Sequence, residues 1–352
     1  MTAKSACRLL IVAPAGAHIR NFLDRVENKA RAIHIITNKP PDFKTNHQVT
    51  IVDFSLKNPL NFLSTPRKIK EVYKEFEPDI IHVHQLNSVS YYTLRALRNS
   101  GTPIVATAWG SDVLVLPEKG VVYKGLVRYA LKHATVFTSD STFMAQKMRD
   151  LLPDRNLDIT ICNFGVAPPV YDLPKENIIY SNRLHKPLYR VDSIIEAFSK
   201  FRNTSGGKSW RLVIAATGPE TPALKELAKE LGVADQIQFE GWLEREDNMK
   251  WYARSKVWVS VPESDATAIS LLEAMYYGCF PIVVDLPASH EWIEDGENGL
   301  IVYDVESAFL SGIEEVNFKS ASEMNKQIIE KEGTYMVAEK KFGEIYCKLL
   351  TQ

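Results

Sequence analysis

Across 352 residues, no stretch approaches the roughly 18 consecutive apolar residues that a membrane-spanning helix needs. The opening segment Met1–Arg8 has no apolar core of the kind a secretory leader carries, so a cytoplasmic protein is expected. Cysteine is scarce. Cys7, Cys162, Cys279 and Cys347 stand apart with no C-x-x-C spacing, which favours reduced thiols over a disulfide or zinc framework. No basic block is interleaved with aromatic residues in the manner of a nucleic-acid groove, so nucleic acid is not an expected partner. The phosphate-cradling pattern G-x-G-x-x-G is also missing, which weighs against a nicotinamide enzyme.

What is present is ordinary for a soluble globular chain, with 45% hydrophobic and 24% charged residues. The length exceeds one core and predicts two domains of roughly 150 to 180 residues. A net charge of −1 hides an asymmetry. Residues 1–170 hold 22 Lys and Arg against 14 Asp and Glu, a net of +8, while the remainder holds 20 against 29, a net of −9. A basic half attracts anionic lipid headgroups or a phosphorylated substrate, or is simply a solvated surface.

Short β-branched runs, each followed by a segment of helical period, recur in the manner of strand-helix-strand units of a parallel sheet. In the first half they are Leu9–Ala13, Ile33–Thr37, Thr50–Asp53, Ile80–His84, Ile104–Thr107, Val136–Ser139 and Ile159–Cys162, with helices read over Pro66–Phe76, Tyr91–Arg98 and Tyr123–His133. Three prolines in Val166–Lys175 mark a linker. The alternation restarts at Ile178–Ser181, Leu212–Ala215, Ile237–Glu240, Val257–Val261 and Pro281–Val284, with a helix over Pro222–Leu231. The expected fold class is α/β: two doubly wound, Rossmann-like parallel-sheet domains facing a cleft, with ligands off the carboxyl ends of the strands. Glu323–Leu350 reads as charged helix with an apolar seam through Met336, Phe342, Ile345 and Leu349.

The most informative segment is Val257–Met275. A buried strand ends at Pro262, a small polar turn holds Asp265, and a helix opens near Ser270, where Ser270-Leu-Leu-Glu273 fits a capping box. Backbone N–H groups from Ala268 through Ile269, Ser270 and Leu271 to Leu272 then lie at a positive helix end that suits a diphosphate. Asp265 and Glu273 flank that start and can grip sugar hydroxyls on one side and ribose hydroxyls on the other. The plainer reading is a cap and an Asx-turn.

At this point the sequence resembles the retaining glycosyltransferases of family 4, of GT-B architecture. Their signature is an acid, seven residues, a Glu, then Ala-Met and a Gly-x-Pro strand. Here it reads Asp265, Glu273-Ala-Met275 and Gly278-Cys-Phe-Pro281, one residue longer between Gly and Pro, followed by Glu291–Val302. The first acid departs from the family's usual Glu by one methylene. Arg183 matches the family's strand-end Arg, which neutralises the leaving diphosphate. The family's nearby Lys aligns with Tyr189, leaving Lys186 or Arg190 as the second cation. Gly218 matches a phosphate-side loop, and Gly241 lies in the strand and turn that line the base pocket.

In the first half, Ala13–Arg20 corresponds to the family's Gly-rich loop, where Gly16 lets backbone approach a ligand and His18 lies alongside. Pro78–His84 resembles a family strand. His82 and His84 share one of its faces, as packing residues rather than a metal pair. Thr107–Val113 matches the His-Gly-x-Asp segment, with Trp109 at the His position and Asp112 in place.

The resemblance implies an acceptor-binding domain over 1–168, a donor-binding domain over 176–335 and a helix, 336–352, packed back on the first domain. It implies a hexosyltransferase that uses a UDP- or GDP-sugar without a metal and retains configuration, acting in surface polysaccharide or glycolipid assembly. Arg183, Asp265 and Asp112 are the candidate catalytic residues, and His18, His84 and Trp109 lie on the acceptor side. Lipid-linked or phosphorylated acceptors and peripheral contact with anionic membrane fit the basic half. The rivals are a sugar-nucleotide epimerase or hydrolase of the same fold, and a noncatalytic nucleotide-sugar binding subunit.

Overall fold

A computed structural model describes residues 7–351. Most of the Met1–Arg8 reading, and the last residue of the expected 336–352 helix, therefore fall outside the described residues. The chain divides into two compact units: residues up to Phe164 together with those from Tyr335 on, and Gly165–Thr334.

The first unit is built on strands β1 (Cys7–Val12), β2 (Ala30–Thr37), β3 (Gln48–Ile51), β4 (Ile80–His84), β5 (Ile104–Thr107), β6 (Val136–Ser139) and β7 (Ile159–Ile161). They form one parallel sheet in the order β3-β2-β1-β4-β5-β6-β7. Its helices are α1 (Ala17–Val26), α2 (Asn61–Phe76), α3 (Ser88–Leu97), the short α4 (Ser111–Leu114), α5 (Val121–His133) and α6 (Thr142–Leu151). The central strands are buried on both faces, as their near-continuous apolar sequences require.

The second unit carries β8 (Glu176–Ser181), β9 (Arg211–Ala215), β10 (Ile237–Gly241), β11 (Ser255–Ser260), β12 (Phe280–Val284) and β13 (Leu300–Val302), parallel in the order β10-β9-β8-β11-β12-β13. Its helices are α7 (Val191–Arg202), α8 (Thr221–Glu230), α9 (Arg245–Arg254), α10 (Ile269–Tyr276) and α11 (Phe318–Glu332). Residues on the two sheet faces fall into two apolar clusters, one around Phe198 and Phe201, the other around Tyr252 and Met275. The strand order reverses between β1 and β4 in the first unit and between β8 and β11 in the second, and such switch points leave a crevice at the carboxyl ends of the strands.

Some expected boundaries move. Helix α2 begins at Asn61, so Pro66 sits inside it instead of opening it; the missing Pro N–H costs one intrahelical bond without ending a helix that buries Thr65, Ile69, Val72 and Phe76. The terminal stretch is two helices broken at Gly333, with α12 (Tyr335–Leu350) packing against α1 in the first unit. Met336 does not belong to its seam, being 78% exposed. The buried stripe runs instead through Ala338, Phe342, Ile345, Tyr346 and Leu349. No helix among the described residues is long and apolar enough to cross a membrane.

Candidate active site

The two strands that flank the switch point of the second unit each deliver one charged residue to their carboxyl ends. Arg183 follows β8, and Asp265 follows β11. Their side chains meet, with Arg183 Nη2 donating to Asp265 Oδ2 at 2.6 Å and Nη1 donating to Ser270 Oγ at 3.0 Å. The Arg183 side chain is 11% exposed, and its guanidinium lies 4.5 Å from the centre of the Tyr189 ring, a cation–π contact. Its Nε–H is buried with no acceptor, so the guanidinium retains an unused donor at a site poor in water. Burial raises the Asp265 carboxyl, and the Arg183 charge opposes that rise.

Ser270 is not a helix cap. The N-cap of α10 is Ala268, which offers no side-chain bond; Ser270 stands two positions further in and accepts from Arg183. The capping-box reading is thus corrected, because a stronger charged donor holds the hydroxyl. Leu271 and Leu272 donate their N–H groups to Ala268 O, at 3.0 and 3.4 Å, and are not available to an anion. The N–H groups of Ile269 and Ser270, the first two of the helix, have no intrahelical acceptor and remain.

Arg190 is a second correction. Its Nε donates to Val261 O at 2.8 Å and its Nη2 to Pro262 O at 2.6 Å, so it staples its own loop to the end of β11 and has little left for a diphosphate. Glu263 N donates to Leu188 O and completes that staple. Lys186 is exposed and its side chain makes no hydrogen bond or ion pair among the described residues, which leaves it as the uncommitted cation of the pair.

Glu273 lies one helical turn beyond Ser270, half-buried beside Tyr252. Burial pushes its carboxyl up to about 7, against the opposing pull of Arg245 and a hydrogen bond with Tyr252. Beneath it Asn182 donates to Tyr252 Oη at 2.7 Å and to Asn248 Oδ1 at 3.1 Å, and accepts from Trp258 Nε1 at 3.0 Å. This polar floor fixes Tyr252 and so fixes Glu273. Sequence pattern did not disclose it, since Asn182, Asn248 and Tyr252 are far apart in the chain.

Gly218 is required by the protein itself. A Cβ there would lie 2.2 Å from His185 O, so the loop after β9 can press against the Arg183 loop only without a side chain. Thr221 and His185 lock that contact through a 2.7 Å bond. Gly241 has φ of +70° with open space around it, so its backbone conformation is what favours glycine. Beside Asp265 a shallow, open groove is lined by Ala268 and Leu271 and by Leu286 and Ala288.

In the first unit, Gly16 is the N-cap of α1 with φ of +151° and nothing within reach of an added Cβ. His18 is exposed and its ring lies 4.6 Å from that of Trp109. Trp109 Nε1 donates to His84 Nδ1 at 3.2 Å, which makes Nδ1 the acceptor and places the His84 proton on Nε2. His84 is wholly buried and stacked 4.6 Å from His82; burial holds both neutral, with His82 lowered to about 3. His84 therefore positions Trp109 from below and does not itself reach an acceptor. Asp112 is corrected more sharply. Its Oδ2 accepts from Leu86 N at 2.6 Å and its Oδ1 from Trp109 N at 2.9 Å, and it is 3% exposed, so in this structure it ties two loops together instead of opening onto a ligand.

Tyr189, at the place where the sequence lacks the family's lysine, instead sets its ring against the Arg183 guanidinium. The relevant signal was an aromatic residue aligned with a cation.

Residues 9–141 match the family model described as glycosyl transferase 4-like, and residues 169–332 match glycosyl transferases group 1. Among curated proteins, the chain is 26% identical to N-acetyl-alpha-D-glucosaminyl L-malate synthase of Bacillus anthracis, over 79% of this chain and 77% of that one. It is 20% identical to alpha-monoglucosyldiacylglycerol synthase of Streptococcus pneumoniae, over 95% and 81%. Among solved structures, Anabaena HepE in complex with UDP superposes with a TM-score of 0.81 at 13% identity, over 97% of this chain and 100% of that one. The two parallel-sheet units are those of the GT-B fold, and the chain belongs to the group 1, family 4-like glycosyltransferases.

Proposed function

We propose that the protein transfers a hexose from a nucleoside-diphosphate sugar, UDP- or GDP-linked, to an acceptor hydroxyl with retention of anomeric configuration and without a resident metal. The observation that carries this reading is the pairing of Arg183 with Asp265 at the switch point of the second unit, beside the free N–H groups of α10. A diphosphate is an anion that Arg183, Lys186 and the N–H groups of Ile269 and Ser270 suit. A ribose presents two hydroxyl donors that the Glu273 carboxylate suits, and Asp265 can accept from the sugar once Arg183 turns to phosphate. HepE has been solved with UDP-glucose as well as UDP, which supports a nucleotide-sugar ligand for this fold.

In the proposed step the acceptor oxygen bonds to the anomeric carbon on the face the phosphate leaves. The bond from that carbon to the phosphate oxygen breaks, and the departing oxygen takes the acceptor proton. Arg183 and the start of α10 stabilise the charge that develops there. No protein nucleophile is required. The acceptor is proposed to be lipid-linked or phosphorylated, in surface polysaccharide or glycolipid assembly at the cytoplasmic side of a membrane, consistent with the net charge of +8 over residues 1–170. The named lipid product of the Streptococcus pneumoniae relative lends this support.

Proton NMR of the first product formed from an α-linked donor tests the reading. An α-linked product is expected, and a β-linked one overturns retention. Incubation of donor with no acceptor separates the epimerase or hydrolase alternative, which consumes donor alone.

A further inference from the structure

Two helices of the first unit begin with apolar residues that have nothing to pack on. In α5 every residue of the first turn, Val121 to Gly125, is exposed, with Val121 at 88%, Val122 at 71% and Tyr123 at 39%. Val122 shares a helix face with Leu126, and Tyr123 with Val127, and both of those are buried one turn later. The apolar face of α5 therefore continues past the body of the unit. Leu60 and Leu63 at the start of α2 repeat the arrangement, 71% and 74% exposed.

Both turns lie on one edge. The end of α2 is held at the start of β1, where Arg8 Nε donates to Phe76 O at 2.7 Å. The end of α5 leads to Thr135, whose N–H reaches Ile104 O at the start of β5. With their last turns at the amino ends of parallel strands, their first turns stand at the carboxyl ends, and α3 lies between them. Phe62 of α2 meets Tyr91 of α3 along that same rim, with ring centres 6.2 Å apart.

The rim is also basic. Lys57, Lys119, Lys124 and Arg128 are exposed beside these turns and form no ion pair or side-chain hydrogen bond among the described residues, against the exposed acids Glu118 and Asp53, the latter beside Asn61 at the start of α2. Exposed apolar side chains ringed by unpaired cations are what an anionic bilayer surface binds, through burial in the headgroup region and attraction to lipid charge. A second copy docking by the same rim would set these cations against their own kind, which disfavours it.

We propose that the rim formed by the first turns of α2 and α5 docks on an anionic lipid bilayer, with Val121, Val122, Leu60 and Leu63 entering the headgroup region and Lys57, Lys119, Lys124 and Arg128 meeting lipid phosphates. This deepens the lipid-linked acceptor reading above.

Co-sedimentation with phosphatidylcholine vesicles, with and without phosphatidylglycerol, tests it. The protein is expected to pellet only with the anionic vesicles at low salt, and to be released at about 1 M salt, where the screening length falls to about 3 Å. Lys119→Glu with Lys124→Glu is expected to lower binding by at least fivefold for each charge changed. Lys74→Glu with Lys132→Glu, at the opposite ends of the same helices, should leave it unchanged. Val121→Ser with Val122→Ser should weaken binding, with an unchanged thermal midpoint and unchanged sedimentation mass. No pelleting with anionic vesicles overturns the proposal, as does equal loss from both charge pairs, or a dimer that the Val121→Ser, Val122→Ser variant separates. Nucleotide binding measured on the same samples keeps this outcome apart from the donor reading, because UDP binding with no vesicle binding defeats only the docking surface.

Discussion

Asp112 and Asp265 both follow the carboxyl ends of parallel strands, β5 one place beyond the switch point of its sheet and β11 at the switch point of the other, and they are held differently. Asp112 gives one carboxylate oxygen to Leu86 N–H and the other to Trp109 N–H, within a fully enclosed loop pair. Asp265 is held chiefly by Arg183, whose guanidinium also donates to Ser270 and lies over the Tyr189 ring, while Ala266 N–H donates to its other carboxylate oxygen. An acid anchored by backbone is scaffold. Under the proposed function, one anchored by a cation that a phosphate can also claim belongs to the donor site.

Removing the cation should have the largest effect. Arg183→Ala is expected to lower turnover by about 10³-fold, the scale of a lost charge stabiliser, with little change in unfolding midpoint. Asp112→Ala should show the reverse. It leaves buried N–H groups of Leu86 and Trp109 without acceptors and is expected to cost about 3 kcal/mol in urea unfolding, while UDP affinity stays within about twofold. Equal losses of UDP affinity in the two variants would erase the distinction.

Glu273 sharpens the comparison through pH. Only the ionised carboxylate accepts from both ribose hydroxyls, so donor affinity is expected to rise as pH rises through about 7, by up to about tenfold per pH unit below that point. Glu273→Gln should flatten the profile. The fold responds in the opposite sense: protonated Glu273 adds stability that is complete below the usual value of 4.5 and is lost as pH rises through about 7.

The smallest effect is expected at Tyr189. Tyr189→Ala should raise the donor KM about fivefold, as a partly buried cation–π contact of about 1 kcal/mol is lost, and Tyr189→Phe should keep it. If Tyr189→Lys instead improves on the natural residue, the ring is no substitute for a cation.

The parallel sheets were legible because buried strands such as Ile104–Thr107 and Val136–Ser139 are short apolar runs that read the same in sequence and structure, whereas the strand order came only from the structure. Arg183, Asp265 and Glu273 were legible because they sit at strand ends or at fixed spacing around a helix start. What pattern could not supply was the partner of each side chain. Ser270 looked like a cap because its spacing to Glu273 fits one, and only the approach of Arg183 from β8 reveals the competing donor. Lys186 and Arg190 could not be separated as the second cation by pattern, and only the structure shows Arg190 bound to carbonyls just past β11. Pro66 looked like a helix start because tertiary burial, which keeps α2 intact across it, leaves no local mark.

Calorimetric titration of UDP into the unmodified protein, Arg183→Ala and Asp112→Ala tests the central claim most directly. The expected result is binding in the first, a loss of at least tenfold in the second and near-normal affinity in the third. UDP binding that survives Arg183→Ala unchanged would contradict the assignment of the Arg183–Asp265 pair as the donor site.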